Sequence, residues 1–385
     1  MLEAYKIFKR SKYKLNDVSI SVCIASYNAE NYISECLSSV FLQDFFSIEI
    51  VIVDDMSTDT TRKKILDLIR HNDNITFIGL NKNSGVGVCR NIALKHSCGE
   101  YVIALDSDDY IPHDALKTLY DILDKNDVAI GKIAHISQQG KFQGEFGLDL
   151  PVNSVSPFDD FKYFHLCTGY HVALLIRRSL IVENKVLYKE NTICSSDGFF
   201  LFSLLDFVDR VSITNKVTYF YREVEKSIVH KKRTVQYYID DFFAYEPLFS
   251  SAKYDDNFHL RRFLCMLYDF MCGDFIYIVD NFSDEEKKVL LESLVAFFNR
   301  YEISKKALNF SIKNNHILLN NVFFIPILYA LQGNDKRMLC YLFSLPKLEN
   351  LSNDIVKFFF LKTFCDKKIP KIAGFFFKFL NRIMR

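Results

Sequence analysis

The sequence predicts an α/β protein: a mostly parallel sheet with helices on both faces, followed by a C-terminal domain that is mainly helical. Three observations predict it. Between Ser19 and Asp109, short apolar runs alternate with stretches of helical spacing, the pattern of βαβ units. Three of those runs end directly in polar or acidic residues, at Ser26-Tyr27-Asn28, Asp54-Asp55 and Asp106-Ser107-Asp108-Asp109. From Val235 onward strand signals fade, while Phe, Leu, Ile and Tyr recur at helical intervals.

The elements follow in order. Ser19 to Ala25 reads as a buried strand, and Ile33, Leu37 and Val40 then recur at spacings of four and three, as on one helix face. Ile48 to Val53 is a second strand, and Thr60 to Ile69 a second helix with Ile65, Leu68 and Ile69 on one side. Ile75 to Ile78 is a third strand, Val88 to Leu94 begins a third helix, and Tyr101 to Leu105 is a fourth strand. Beyond Pro112 the pattern loosens. Ala115 to Leu123 reads as a helix, Asp127 to Ile133 as a strand, and Gln138 to Val155 as a polar loop. A boundary near residues 230 to 235 divides a domain of residues 1–232 from a helical domain of residues 233–385.

Composition excludes several classes. The formal net charge of +1 lacks the basic excess of a nucleic-acid binder. Ten cysteines are scattered with no C-x-x-C pair, which reads as free buried thiols in a reducing compartment. No apolar stretch reaches the ~18 residues of a membrane span. Val322 to Leu331 is the longest candidate, and Pro326 interrupts it. Met1 to Lys6 has no secretory pattern, so the expected location is cytoplasmic.

In an open parallel sheet, ligands bind along the edge formed by the carboxyl ends of the strands. Segments roughly 30 to 50 residues apart in sequence therefore converge there. Carboxylates gathered at such an edge repel one another unless a cation or hydrogen bonds offset them. Asp106-x-Asp108 is a half-site for a hard divalent ion that a ligand's phosphates would complete. Asp also caps helices and forms turns, and that plainer reading suits Asp59 and Asp114, each just before a helix. Gly85-x-Gly87 is not a dinucleotide fingerprint, because the third Gly is absent and the motif follows the third strand.

Four segments resemble the family 2 glycosyltransferases. They are Ser21 to Asn28 with Cys36 to Val40 and Gln43; Glu49 to Asp59; Asn83 to Asn91; and Leu105 to Asp109. They stand in the family's order and spacing, and only jointly are they specific. In the second, Met56 replaces a customary Gly. The resemblance implies a GT-A, Rossmann-like fold, a nucleotide-sugar donor (UDP by preference), a divalent metal (Mn²⁺ or Mg²⁺) and inversion at the anomeric carbon. It implies that Ser26, Tyr27 and Asn28 border the nucleotide pocket, that Asp55, and less strongly Asp54, contacts base or ribose, and that Gly85 turns the chain into the third helix. Arg90 would reach the phosphates or pair with the acidic edge. Asp106 and Asp108 would hold the metal beside Ser107, with Asp108 the direct ligand.

The family's general base usually comes from a Glu-Asp pair. Here Ser196-Asp197 aligns with it, which makes Asp197 the expected base. Tyr219 to Arg222 and Ser227-Ile228 resemble the closing motif. Arg222 and the segment His230-Lys231-Lys232-Arg233 would then fold over the diphosphate, with His230 a further candidate metal ligand; a solvated basic run is the equal alternative for the last three. The tail from Lys367 to Arg385 carries six cations and no acid beside Phe375, Phe376, Phe377 and Phe379. It fits a peripheral contact with an anionic membrane, where a lipid-linked or glycan acceptor would lie; packing on the helical domain is the other reading. A non-catalytic nucleotide- or partner-binding relative is the alternative to an enzyme. A sugar nucleotidyltransferase would need a Gly-rich basic loop after the first strand, and Tyr27-Asn28-Ala29-Glu30 is not one.

Overall fold

The computed structural model describes residues 5–15, 17–45, 47–124, 126–146, 170–192, 196–204, 207–208, 211–224, 233–244, 246, 278 and 281–300. The chain divides into two compact units, Met1–Lys232 and Arg233–Arg385.

The first unit is built on one mixed sheet. Its centre is four strands: β2 (Ile20–Ser26), β3 (Ile48–Asp54), β4 (Ile75–Leu80) and β5 (Tyr101–Asp106). They pair in parallel in the order β4-β3-β2-β5, with Ser26 level with Asp54 and Ala25 level with Asp106. β2, β3 and β4 are buried along their whole length, which is why they read as continuous apolar runs rather than alternating ones. Glu49 is the exception in β3. Buried to 1% exposure, it accepts from the Ser21 hydroxyl and from Cys98 N–H at 2.5 Å. The buried carboxylate is thus satisfied by β2 and by the loop that enters β5.

The helices occupy both faces. Ile20, Val22 and Ile24 pack into one core with Ile33, Cys36, Leu37 and Val40 of α1 (Ile33–Phe41), Ile65 and Ile69 of α2 (Thr61–Ile69), and Leu116, Leu119 and Leu123 of α4 (Ala115–Leu123). The alternate side chains of β2 face α3 (Val86–His96), which buries Cys89, Ala93 and Leu94. Leu68, expected on the inner side of α2, is instead 36% exposed, while Thr61, Ile65 and Ile69 are buried.

The remaining strands widen the sheet. β1 (Tyr5–Lys9) runs antiparallel on the β4 edge. β8 (Leu174–Arg177) runs antiparallel between β5 and β6 (Val128–Ile136), and the long β9 (Val211–Arg222) runs parallel to β6. β7 (Phe142–Phe146) lies antiparallel on β6, within the segment read as loop. There Gly140 at φ 82° turns the chain back. Two short helices follow β8: α5 (Arg178–Glu183) and α6 (Ser196–Leu204). Cys23, Cys36, Cys89 and Cys98 are free and buried.

In the second unit the described elements are α7 (Val235–Ala244) and α8 (Asp284–Arg300), with the Tyr238 ring edge-on to Phe282 at 5.9 Å. His230, Lys231, Lys232, Ser227, Ile228 and the basic aromatic tail lie outside the described residues. Among those described, no helix is long and apolar enough to cross a membrane.

Candidate active site

The carboxyl ends of β2, β3 and β5 meet at one edge, where the acids take up different jobs. Asp54 is fully buried and neutralised: Arg62 reaches it through Nε at 2.8 Å, and Ser57 donates from its N–H at 3.2 Å. Asp55 is 4% exposed, and its two oxygens accept from Ser84 N–H at 2.7 Å and Gly85 N–H at 2.8 Å. It thereby holds the turn that opens α3, where Gly85 takes φ 90° without strain. Met56, in the place of a customary Gly, sits at φ 58°, a left-handed conformation that costs a side-chain-bearing residue about 1 kcal/mol.

The β2 end is stitched to this loop. Asn28 N–H donates to Ser57 Oγ at 3.0 Å, and Thr58 N–H donates back to Asn28 Oδ1 at 2.8 Å. Tyr27, just before Asn28, is half exposed. Ser26 Oγ is buried and, among the described residues, has no hydrogen-bond partner. Asp59 accepts from Thr61 N–H at 2.9 Å in the turn before α2, whose cap position is held by Thr60, and Asp114 occupies the cap position of α4 without a side-chain bond.

The centre is Arg90. It is 7% exposed in α3 and bonds Asp106 Oδ1 through NH2 at 2.8 Å and Asp197 Oδ1 through NH1. Of its two expected partners, phosphate or acidic edge, the structure shows the acids. Burial opposes its charge, but Asp106 and Asp197 outweigh that and raise its pKa. Asp197 lies in the first turn of α6 and takes a second bond from His171 Nδ1 at 3.2 Å. Burial pushes its carboxyl up; Arg90 and His171 win and hold it well below the usual carboxylate range.

Close packing makes this convergence possible. A Cβ on Gly87 would lie 2.3 Å from the Lys189 carbonyl oxygen and 2.8 Å from Ser196 Oγ. Gly87 thus lets α3 press against the start of α6, and Ser196, in the place of the customary Glu, donates to that same carbonyl at 2.8 Å.

The β5 end divides its acids. Asp109, 2% exposed, accepts from Tyr219 Oη at 2.7 Å and Arg222 N–H at 2.7 Å, tying the turn to β9. Burial nevertheless pushes the Asp109 carboxyl well above its ordinary value, and in Asp108 a backbone hydrogen bond and the Arg222 and Arg90 charges offset burial only in part. Burial first, then the Asp106 charge, raises the Asp108 carboxyl to about 6. Ser107 between them is buried.

Arg222, expected over a diphosphate, is engaged with protein groups. Its Nε donates to Asp108 O at 3.0 Å, NH1 to Gln138 O at 3.0 Å and NH2 to Glu35 Oε2 at 2.6 Å. Its guanidinium also lies 5.3 Å from the Tyr32 ring and 5.4 Å from that of Tyr110. Every nitrogen is engaged, so Arg222 braces the 106–109 turn. Arg233 likewise stands over the Tyr237 ring at 5.7 Å.

His171 escaped the sequence reading. It begins the short run into β8, and its place comes from the bridge between Val172 and Ala104. Nothing local in Tyr170-His171-Val172 announces that pairing.

A parallel sheet ending in an acidic crevice, flanked by antiparallel strands, is the GT-A fold. Residues 21–182 match the sequence model of Glycosyl transferase family 2, and this chain carries a domain of that family. The solved structure of Staphylococcus aureus TarS in complex with UDP-GlcNAc superposes with a TM-score of 0.69 at 22% identity, covering 84% of this chain and 90% of that one. Among curated proteins, the S. aureus poly(ribitol-phosphate) beta-N-acetylglucosaminyltransferase TarS is 32% identical over 209 residues, 53% of this chain and 35% of the relative. The Bacillus spizizenii poly(ribitol-phosphate) beta-glucosyltransferase is 28% identical over 354 residues, 89% of this chain and 52% of the relative. The chain thus spans about a third to a half of the length of these relatives.

Proposed function

We propose that this chain is an inverting glycosyltransferase that moves a hexosyl or N-acetylhexosaminyl group from a UDP-sugar to a hydroxyl of a cell-surface glycan or its lipid-linked precursor. The observation that carries this reading is the Arg90 bridge, which sets an ionised Asp197 beside Asp106 at the crevice. The donor class is supported by the UDP-GlcNAc held in the TarS structure, and the acceptor class by the poly(ribitol-phosphate) transferases named above.

In this reading Asp197 takes the proton from the acceptor hydroxyl as its oxygen attacks the anomeric carbon. Tyr27 and Asn28 border the base. Ser26 Oγ supplies an unsatisfied donor and acceptor that a bound nucleotide would satisfy. Asp55 contributes the remaining lone pairs of its carboxylate and the placement of Gly85. Asp54 and Arg222 support the crevice from behind.

Among the described residues, no group of three or more His, Cys, Asp or Glu forms a metal cage. Two hard carboxylates are present, however, and burial together with the Asp106 charge disfavours the ionised form of Asp108, which a cation would offset. That donor set fits Mn²⁺ or Mg²⁺ with Asp106 and Asp108 as its protein ligands and donor phosphates completing the shell. When bound, the ion would neutralise charge on the departing diphosphate.

A thermal-shift panel tests the site. UDP with Mn²⁺ at about a hundred times its Kd adds roughly 2.7 kcal/mol of stability, and UDP with chelator adds far less. Asp108→Asn should abolish the metal-dependent gain while raising the melting temperature of the ligand-free protein at pH 8, because it removes a buried charge that raises its neighbours. For unsubstituted protein the Mn²⁺ affinity should fall as pH drops through about 6, where Asp108 gains its proton. A UDP shift indifferent to metal and to Asp108 would exclude the metal part of the proposal.

The tail belongs to the same reading. Full-length protein should co-sediment with anionic vesicles, and a chain ending at Asp366 should not. Equal sedimentation of the two removes the membrane contact.

A further inference from the structure

The sequence motifs leave His171 without a role, yet the fold gives it a costly and specific position. It is 2% exposed, beside β5 through the Val172–Ala104 bridge. Its Nδ1 lies 3.2 Å from Asp197 Oδ2, while Arg90 bonds the other oxygen, Oδ1. Facing a carboxylate, Nδ1 carries the proton. Nε2 is then left buried and, among the described residues, unpartnered. A buried polar atom without a partner is rare and unfavourable, so a requirement at the other ring nitrogen must outweigh it.

The ring is also fixed by packing. Tyr188 meets it edge-on at 5.5 Å, and Tyr188 stacks flat on Phe200 at 4.1 Å. Phe200 is three residues beyond Asp197 on the same helix, so one aromatic stack locks the donor and the acceptor of the bond together. Asp106 Oδ1, 4.0 Å from Nε2, is too far to accept a hydrogen bond from it.

We propose that His171 is a positioning residue for the transfer reaction: by holding Oδ2 while Arg90 holds Oδ1, it fixes the plane of the Asp197 carboxylate for proton abstraction. A single donor leaves a carboxylate free to rotate about its Cβ–Cγ bond. Two donors on different oxygens do not. The inference rests on the transferase reading above.

The test uses the full chain, with UDP-GlcNAc or UDP-glucose as donor, poly(ribitol phosphate) as the acceptor hydroxyl and UDP release as the signal. His171→Asn keeps an amide N–H near the Nδ1 position; His171→Gln moves it toward Nε2; His171→Leu removes it. The expected loss in kcat is about 10²-fold for Leu and for Gln, the effect of misplacing a reacting group by about 1 Å. Asn should recover activity to within about tenfold, and KM for the donor should stay within about threefold throughout. Each variant should keep the UDP-and-Mn²⁺ thermal shift, which shows that it is folded and binds donor. Equal kcat for Asn and Gln, or a loss expressed in KM, overturns the proposal even if Leu fails to fold. No UDP release from the unsubstituted protein with either donor instead removes the transferase reading itself, and this inference with it.

Discussion

Asp197→Asn should lower kcat for UDP-sugar turnover by roughly 10²- to 10⁴-fold, the contribution of a positioned general base. The substitution keeps shape and one carbonyl oxygen, so Arg90 retains a partner while the proton acceptor is lost. Donor binding should survive, because no donor contact is assigned to Asp197, and the UDP-and-Mn²⁺ thermal shift reports it directly. A variant with turnover within threefold of the unsubstituted protein would exclude Asp197 as the base.

The pH dependence separates this acid from its neighbours. Arg90 and His171 hold the Asp197 carboxyl well below the usual carboxylate range. Its base form is therefore fully present at and above pH 5, and protonation removes it only at more acid pH. An acid limb near pH 6 in the rate profile would instead belong to Asp108, whose carboxyl is raised to about 6. The UDP-and-Mn²⁺ thermal shift should fall over the same pH range if the limb is Asp108's, and His171→Asn should leave the limb in place.

How far the sequence reached is clearest at the strand ends. β2, β3, β4 and β5 were legible because both faces of each are covered, so apolar residues run without interruption and the polar residues that stop them stand out. The acidic edge was legible for the same reason. What failed to show were consequences of pairing across long separations. β8 is four residues long and carries no periodic signal; only its place between β5 and β6 makes it a strand. His171 enters the site through that placement. Arg222 read as a cation awaiting phosphate, because nothing in Tyr219-Phe220-Tyr221-Arg222 shows that Glu35, 187 residues earlier, meets its NH2. Ser196 looked like the loss of a functional Glu; in the fold its hydroxyl bonds the Lys189 carbonyl under Gly87, a contact between two segments with no shared sequence pattern.

Arg90→Leu should cost about 3 kcal/mol of stability, the low end of what breaking a buried ion pair costs. Arg90 is buried and serves two carboxylates at once, 2.8 Å from Asp106 and bonded to Asp197, with its guanidinium 5.4 Å from the Tyr188 ring. Without it two negative charges face one another. Their side chains are 26% and 33% exposed, so water relieves part of the penalty and the low end applies. At roughly 2–4 °C per kcal/mol for a domain of this size, the melting temperature falls by roughly 6–12 °C. Because the folded Asp197 carboxyl is depressed by Arg90, the stability it contributes is present above the unfolded carboxylate pKa of about 3.9 and is lost as pH falls through the lower folded value. Arg90→Leu removes most of that contribution, so its deficit should be largest near pH 7 and shrink as the pH is lowered below about 4. Adding Asp197→Asn to Arg90→Leu should restore part of the loss, since one of the two facing charges is gone; a coupling of roughly 0.5–3 kcal/mol is the signature of side chains in contact. Strictly additive losses, or a deficit that does not change with pH, would mean that Arg90 acts through its packing against Tyr188 and not as the cation that lets the acidic edge hold its acids together.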